Sequence, residues 1–172
     1  TQALRWLADV DAPVSLAIRT TLDAQGVLGP LSATLALGKG ALQPNAATEP
    51  VVFDTAKAYL TYEPSSQLIR FDQIEVAAPA GRIAASGRAY LRDFEQGVPQ
   101  ALVAQFNFTE VALARGGWYQ DGVALPPFSL DMRLRFDPFA VEMGQIALVD
   151  GETHLAAKGQ IFAAPEGWRV AF

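Results

Sequence analysis

Apolar and polar residues alternate along most of this chain. In PVSLAIRTTLD, Val14, Leu16, Ile18 and Leu22 fall on one side, and Ser15, Arg19, Thr21 and Asp23 on the other. In PLSATLAL, Leu31, Ala33, Leu35 and Leu37 share a side. FSLDMRLRFD is the cleanest case, with Phe128, Leu130, Met132, Leu134 and Phe136 opposed to Asp131, Arg133 and Arg135. The end, GWRVAF, groups Trp168, Val170 and Phe172. Period-two alternation is the mark of a half-buried strand. Strands with one apolar side belong to antiparallel sheets with one face covered and one wet.

Two stretches change phase midway. Ile69 and Phe71 share a side, but Ile74 and Val76 lie on the opposite one. Likewise Leu102, Ala104, Phe106 and Phe108 give way to Val111 and Leu113. One extra residue restores the face, so bulges are expected near Asp72 and Thr109, and bulges bend sheets. Between strands lie turn formers: Ala24-Gln25-Gly26, Gly38-Lys39-Gly40, Glu63-Pro64-Ser65-Ser66, Pro79-Ala80-Gly81, Asp121-Gly122, Asp137-Pro138 and Asp150-Gly151. Longer loops are expected over 43–50 (QPNAATEP) and 115–127 (RGGWYQDGVALPP). The only helical spacing is a short one over residues 2–10, with Leu4, Leu7 and Ala8 on one side.

The chain also repeats itself. GRIAASGRAYL at 81–91 is echoed by THLAAKGQIFA at 153–163, placing Gly159 in the position of Gly87. Upstream, Gln73-Ile74 falls on Gln145-Ile146 and Val76 on Leu148, a constant offset of 72 residues. The unit is a hairpin, a rising strand, a tight turn and a returning strand with a Gly in its apolar side. The repeat units span about 53–92 and 128–164, with a weaker echo in LSATLALGKGALQ at 31–43. The expectation is a single all-β domain: a curved antiparallel sheet of repeating hairpins, either an open groove or a partly open barrel.

Composition narrows the chemistry. With 172 residues, 51% hydrophobic and 18% charged, the chain is globular in character and long enough for one sizeable core. A net charge of −5 without a basic stripe argues against nucleic acid and against simple attraction to anionic headgroups. The cysteine count is 0, which excludes disulfides and thiolate metal sites. No run approaches the ~20 apolar residues that cross a bilayer. The N-terminus lacks the charged and apolar regions of a signal peptide. A start without Met and a stop at Phe172 within an alternating pattern read as a piece of a longer protein.

No residue constellation points to catalysis, a metal or a cofactor. The only histidine, His154, sits on the polar side of its strand without partners for a zinc site or a triad. Asp9, Asp11, Asp54, Asp72, Asp93, Asp131, Asp137 and Asp150 are scattered through turns and wet strand sides. A sandwich glycosidase would need two convergent carboxylates, and the spacing gives none. Asp150-Gly151-Glu152 is too short for an EF-hand loop. Gly38-Lys39-Gly40 reads as a hairpin turn rather than a phosphate loop. Asn107-Phe108-Thr109 matches a glycosylation sequon but lies in a strand. Trp118 and Tyr119, beside Gly116-Gly117, are a candidate contact loop or a plug over the sheet end.

QLIRFDQIEVAAPAGRIAASGRAYL and VEMGQIALVDGETHLAAKGQIFAAPEGW carry a resemblance. Over about residues 50–172, this hairpin with a mid-strand Gly resembles the AsmA-like family of Gram-negative envelope proteins. The resemblance implies a periplasmic β-groove, anchored in the inner membrane by an N-terminal helix absent from this chain. It implies passage of phospholipid between inner and outer membranes, and it carries no catalytic motif. On that reading the groove would be lined by Leu31, Leu35, Ile74, Val76, Ile83, Ala85, Gly87, Leu130, Leu134, Ile146, Leu148, Leu155 and Ile161. Its partners would be phospholipid or another acyl-chain lipid, with envelope proteins as further partners. The competing reading is a packed β-scaffold with a dry core that contacts other proteins. In either case, open sheet edges could join copies of the chain.

Overall fold

The computed structural model describes residues 9–26, 29–114, 122–150 and 153–171. The chain runs through β1 (Val10–Asp11), β2 (Val14–Arg19), β3 (Leu31–Leu37), β4 (Gly40–Leu42), β5 (Val51–Phe53), β6 (Thr55–Glu63) and β7 (Leu68–Ala78). It continues through β8 (Gly81–Glu95), β9 (Val98–Leu113), β10 (Val123–Leu125), β11 (Phe128–Phe136), β12 (Phe139–Asp150), β13 (Thr153–Ala164) and β14 (Gly167–Ala171). One antiparallel sheet of 11 strands dominates, in the order β14-β13-β12-β11-β9-β8-β7-β6-β3-β2, and it does not close into a barrel. β10 lies end to end with β11 along β9: Leu125 faces Val111 and Phe128 faces Phe108. The break between them is Pro126-Pro127, which has no N–H to give the ladder. A separate sheet runs β1-β4-β5, and just after β5 the Asp54 amide donates to the Ala77 carbonyl of β7 at 2.8 Å.

The expected bulges are present. Gln73 faces Tyr59 and Phe71 faces Leu60, so Asp72 is the extra residue of β7. Glu110 faces Ala84 and Phe108 faces Ala85, which makes Thr109 the extra residue of β9. A further bulge falls at Gly144, since Gln145 faces Asp131 and Met143 faces Met132. Asp72 and Gly144 are separated by the same 72 residues as the sequence echo. The repeat is therefore one of hairpin register and bulge position as well as of sequence. β3 does not extend it, because β2 and β3 pair without a shift.

The hairpin turns are made by residues that accept left-handed backbone. Gln96 and Gly97, at φ 50 and 80, join β8 to β9, and two positive angles in a row match the twist of the flanking strands. Gln67, at φ 55, ends the turn that begins at Pro64. Gly38-Lys39 does not make the expected hairpin: it is a bend that passes the chain from β3 in the large sheet to β4 in the small one. Of the expected helix over residues 2–10, residues 2–8 lie outside the described residues, and Val10 is extended in β1.

The accessible surface is 11100 Å² for a chain of 18.4 kDa. A compact monomer of that mass exposes about 8,200 Å². A large sheet that does not close into a barrel accounts for the excess.

Candidate functional site

Antiparallel register determines which side chains share a face, because directly opposed residues point the same way. One row crosses the sheet from β13 to β2 as Ala157, Ile146, Leu130, Phe106, Gly87, Phe71, Leu60, Ala33 and Ile18. The next row reads Leu148, Phe128, Phe108, Ala85, Ile74, Ala58, Leu35 and Leu16. A shorter row holds Leu125, Val111, Ile83, Val76, Ala56, Leu37 and Val14. On the other flank run Val170, Ile161, Val141, Leu134, Leu102 and Leu91. Leu31, facing Tyr62, completes the set. Every residue expected to line a groove thus falls on this one face, apart from Leu155, whose side chain lies outside the described residues. Backbone register sets His154 across from Val149, off these rows. Trp118 and Tyr119 lie outside the described residues.

The bulges make this continuity possible. Without Asp72, Thr109 and Gly144, each of these strands would turn half its apolar residues to the opposite face.

Gly87 has a specific task in this surface. Phe71 and Phe106 face it from either side, and their rings meet across it at 5.5 Å with an interplanar angle of 57°. A Cβ at position 87 would strike the Gln105 carbonyl oxygen and, at 2.6 Å, Phe106 Cδ1. Beside this pair, Phe108 and Phe128 stack at 4.7 Å. Ala89 and Ala104, 0% and 5% exposed, form the floor under Phe106, with Ile69, Phe71, Ile74, Leu102, Phe108 and Met132 packed around them.

Elsewhere Ala33, Phe53, Ala85, Ala101, Leu130, Ala140 and Ala164 are also buried, between 1% and 9% exposed. Among the described residues no large side chain is fully buried. Ile83 is 38% exposed, Leu16 52% and Val170 53%. The small residues sit low between larger neighbours, so the face is a continuous apolar surface with shallow relief.

The opposite face is polar and self-compensated. Arg88 donates to Gln105 Oε1 at 3.1 Å, and Gln105 Nε2 donates to Asp131 Oδ1 at 2.9 Å. Arg133 pairs with Asp93, and Arg135 Nε lies 3.2 Å from Glu142 Oε1. Arg88, Gln105, Asp131, Arg133 and Glu142, with Tyr90, Val103 and Gly144, border a shallow concavity of about 600 Å³. Its charges answer one another, so it makes no demand for a counter-ion. Among the described residues no cluster of His, Asp or Glu is arranged to hold a metal.

Loop 43–50 ties the two flanks of the sheet together. Asn45 Nδ2 donates to the Ala164 carbonyl at 3.3 Å, and the Trp168 indole N–H donates to the Glu49 carbonyl at 2.8 Å. The loop is held in shape for this. Asn45 Oδ1 accepts from the Ala47 and Thr48 amides at 2.9 and 3.0 Å, and Gln43 Nε2 donates to the Thr48 carbonyl at 2.8 Å. Thr48 is 2% exposed and gives its hydroxyl to the Asn45 carbonyl at 2.8 Å. Trp168 also packs edge-on against Phe139, with ring centres 5.9 Å apart. The clasp brings the loop between β4 and β5 to the β13–β14 hairpin without a strand ladder, so the sheet curls but stays open.

No family model, curated protein or solved structure matches this chain. The functional reading therefore rests on the face itself.

Proposed function

We propose that this chain is a non-enzymatic segment of a lipid-carrying β-groove of the AsmA-like kind, and that its apolar face holds acyl chains. The observation that carries the reading is the unbroken set of apolar rows from β13 to β2, half-covered, with no large side chain fully buried among the described residues. A dry scaffold of this length would bury large side chains at interior density. An acyl chain laid along the rows would remove apolar surface from water on both partners, worth about 0.8 kcal/mol per buried methylene. Headgroups would stay in water at the open edges, which suits a conduit for phospholipid between inner and outer membranes. On this proposal the chain works in the periplasm, within a longer protein anchored in the inner membrane.

Delipidated protein titrated with a fluorescent fatty acid provides the test. Saturable uptake is expected, weakened about tenfold or more by Ile83→Arg, because a guanidinium on the face would have to be desolvated against the acyl chain. Ile83 is already 38% exposed, so the substitution leaves the fold intact. Uptake indifferent to this change, and to Leu134→Arg, would remove the proposed lining and favour a packed scaffold.

A further inference from the structure

β2 ends the large sheet, and among the described residues only β3 pairs with it. Its backbone orientation follows from that pairing. The Gly38 amide donates to the Pro13 carbonyl at 2.9 Å, so the odd-numbered residues of this strand turn their polar groups toward β3. Val14, Leu16 and Ile18 therefore present theirs at the free edge. The same residues carry its apolar side chains, 49%, 52% and 56% exposed.

Free edges are ordinarily blunted by a proline, an inward lysine, a bulge or a covering loop. VSLAIR contains no proline or lysine, pairs with β3 without a register shift, and is exposed along its whole length. Pro13 comes just before it, but its missing N–H lies on the β3 side.

We infer that β2 is an assembly edge whose occupant is the β2 of a second copy of this chain. The strand is self-complementary in one antiparallel register. Opposed residues must share a face and must both present outward backbone groups, which admits only even-numbered residues against even-numbered ones. Setting Leu16 against Leu16 places Val14 against Ile18 on both sides of a two-fold axis normal to the sheet. All the exposed apolar side chains then meet, and all the outward amides and carbonyls pair. A slip of two residues either way leaves one of them without an apolar partner. The axis keeps both apolar faces on the same side, so the joined sheets form one surface. This inference does not depend on what that surface binds.

The chain has 0 cysteines, so single cysteine substitutions report the pairing directly. Leu16→Cys sits on the axis, where opposed Cα atoms are about 5.5 Å apart, within disulfide range. Ile18→Cys faces position 14, leaving like residues about 13 Å apart. Mild oxidation should cross-link Leu16→Cys to a dimer and leave Ile18→Cys alone monomeric. A mixture of Ile18→Cys and Val14→Cys should cross-link. In sedimentation velocity the unmodified chain should dimerise with concentration, and Leu16→Lys, with unchanged thermal unfolding, should associate at least about tenfold more weakly. A monomer at every concentration would overturn the inference, as would equal cross-linking of Ile18→Cys and Leu16→Cys. Slow hydrogen exchange at Val14, Leu16 and Ile18 in a monomer would overturn it too, by assigning the edge to another segment of the same chain.

Discussion

A methyl group at position 87 would meet the Gln105 carbonyl oxygen and, at 2.6 Å, the edge of the Phe106 ring. At position 144 the nearest atom is the Asp131 carbonyl oxygen, at an ordinary 3.6 Å. Gly87→Ala is therefore expected to cost about 1–3 kcal/mol in urea unfolding, whereas Gly144→Ala should stay within about 0.5 kcal/mol. The reverse order would mean that the Phe71–Phe106 pair does not depend on the gap. Charge at the surface acts more weakly. The Arg169 guanidinium hydrogen-bonds the exposed Glu166 carboxylate and holds its pKa below the ordinary 4.5. A depressed carboxyl contributes stability above its unfolded value, and that contribution is lost as pH falls through the folded one. The loss thus lies below pH 4.5. An NMR titration should give Glu166 a midpoint under the ordinary carboxylate value, returning to it in Arg169→Met; an unmoved midpoint would contradict the assignment. The alternation made the apolar residues legible one by one. That Gly87 separates two facing rings was not legible, because it requires the register of both neighbouring strands.

Bulges at Asp72 and Thr109 were readable as changes of phase, since a strand that must keep one face apolar has to take in an extra residue. The same signal exists at Gly144, where Val141 and Met143 give way to Ile146 and Leu148. The offset of 72 residues from Asp72 points to that position as well. The small sheet left no such trace: β1, β4 and β5 have 2, 3 and 3 residues, too few for a period. The clasp was equally silent, because it joins Asn45 to Ala164 and Glu49 to Trp168 across 119 residues. Asn45→Ala removes both the cross-link and the bonds that shape loop 43–50. The expected cost is about 1–3 kcal/mol, with faster amide exchange confined to loop 43–50 and the β13–β14 hairpin. Faster exchange across the whole sheet would mean that the clasp is part of the global fold rather than a local tie.

At the scale of the whole molecule, open edges and a half-covered apolar face go together. The 11-stranded sheet does not close into a barrel, and its apolar rows stay half-covered, with no large side chain fully buried among the described residues. What remains is a surface that water covers at a cost and an apolar ligand would cover at a gain. The most direct test is native mass spectrometry of the purified chain, paired with lipid extraction from the same sample. Phospholipid retained by the unmodified chain and lost from the folded Ile83→Arg variant is the predicted result. A lipid-free mass for a sample that still unfolds cooperatively, and takes up no lipid when vesicles are supplied, would contradict it.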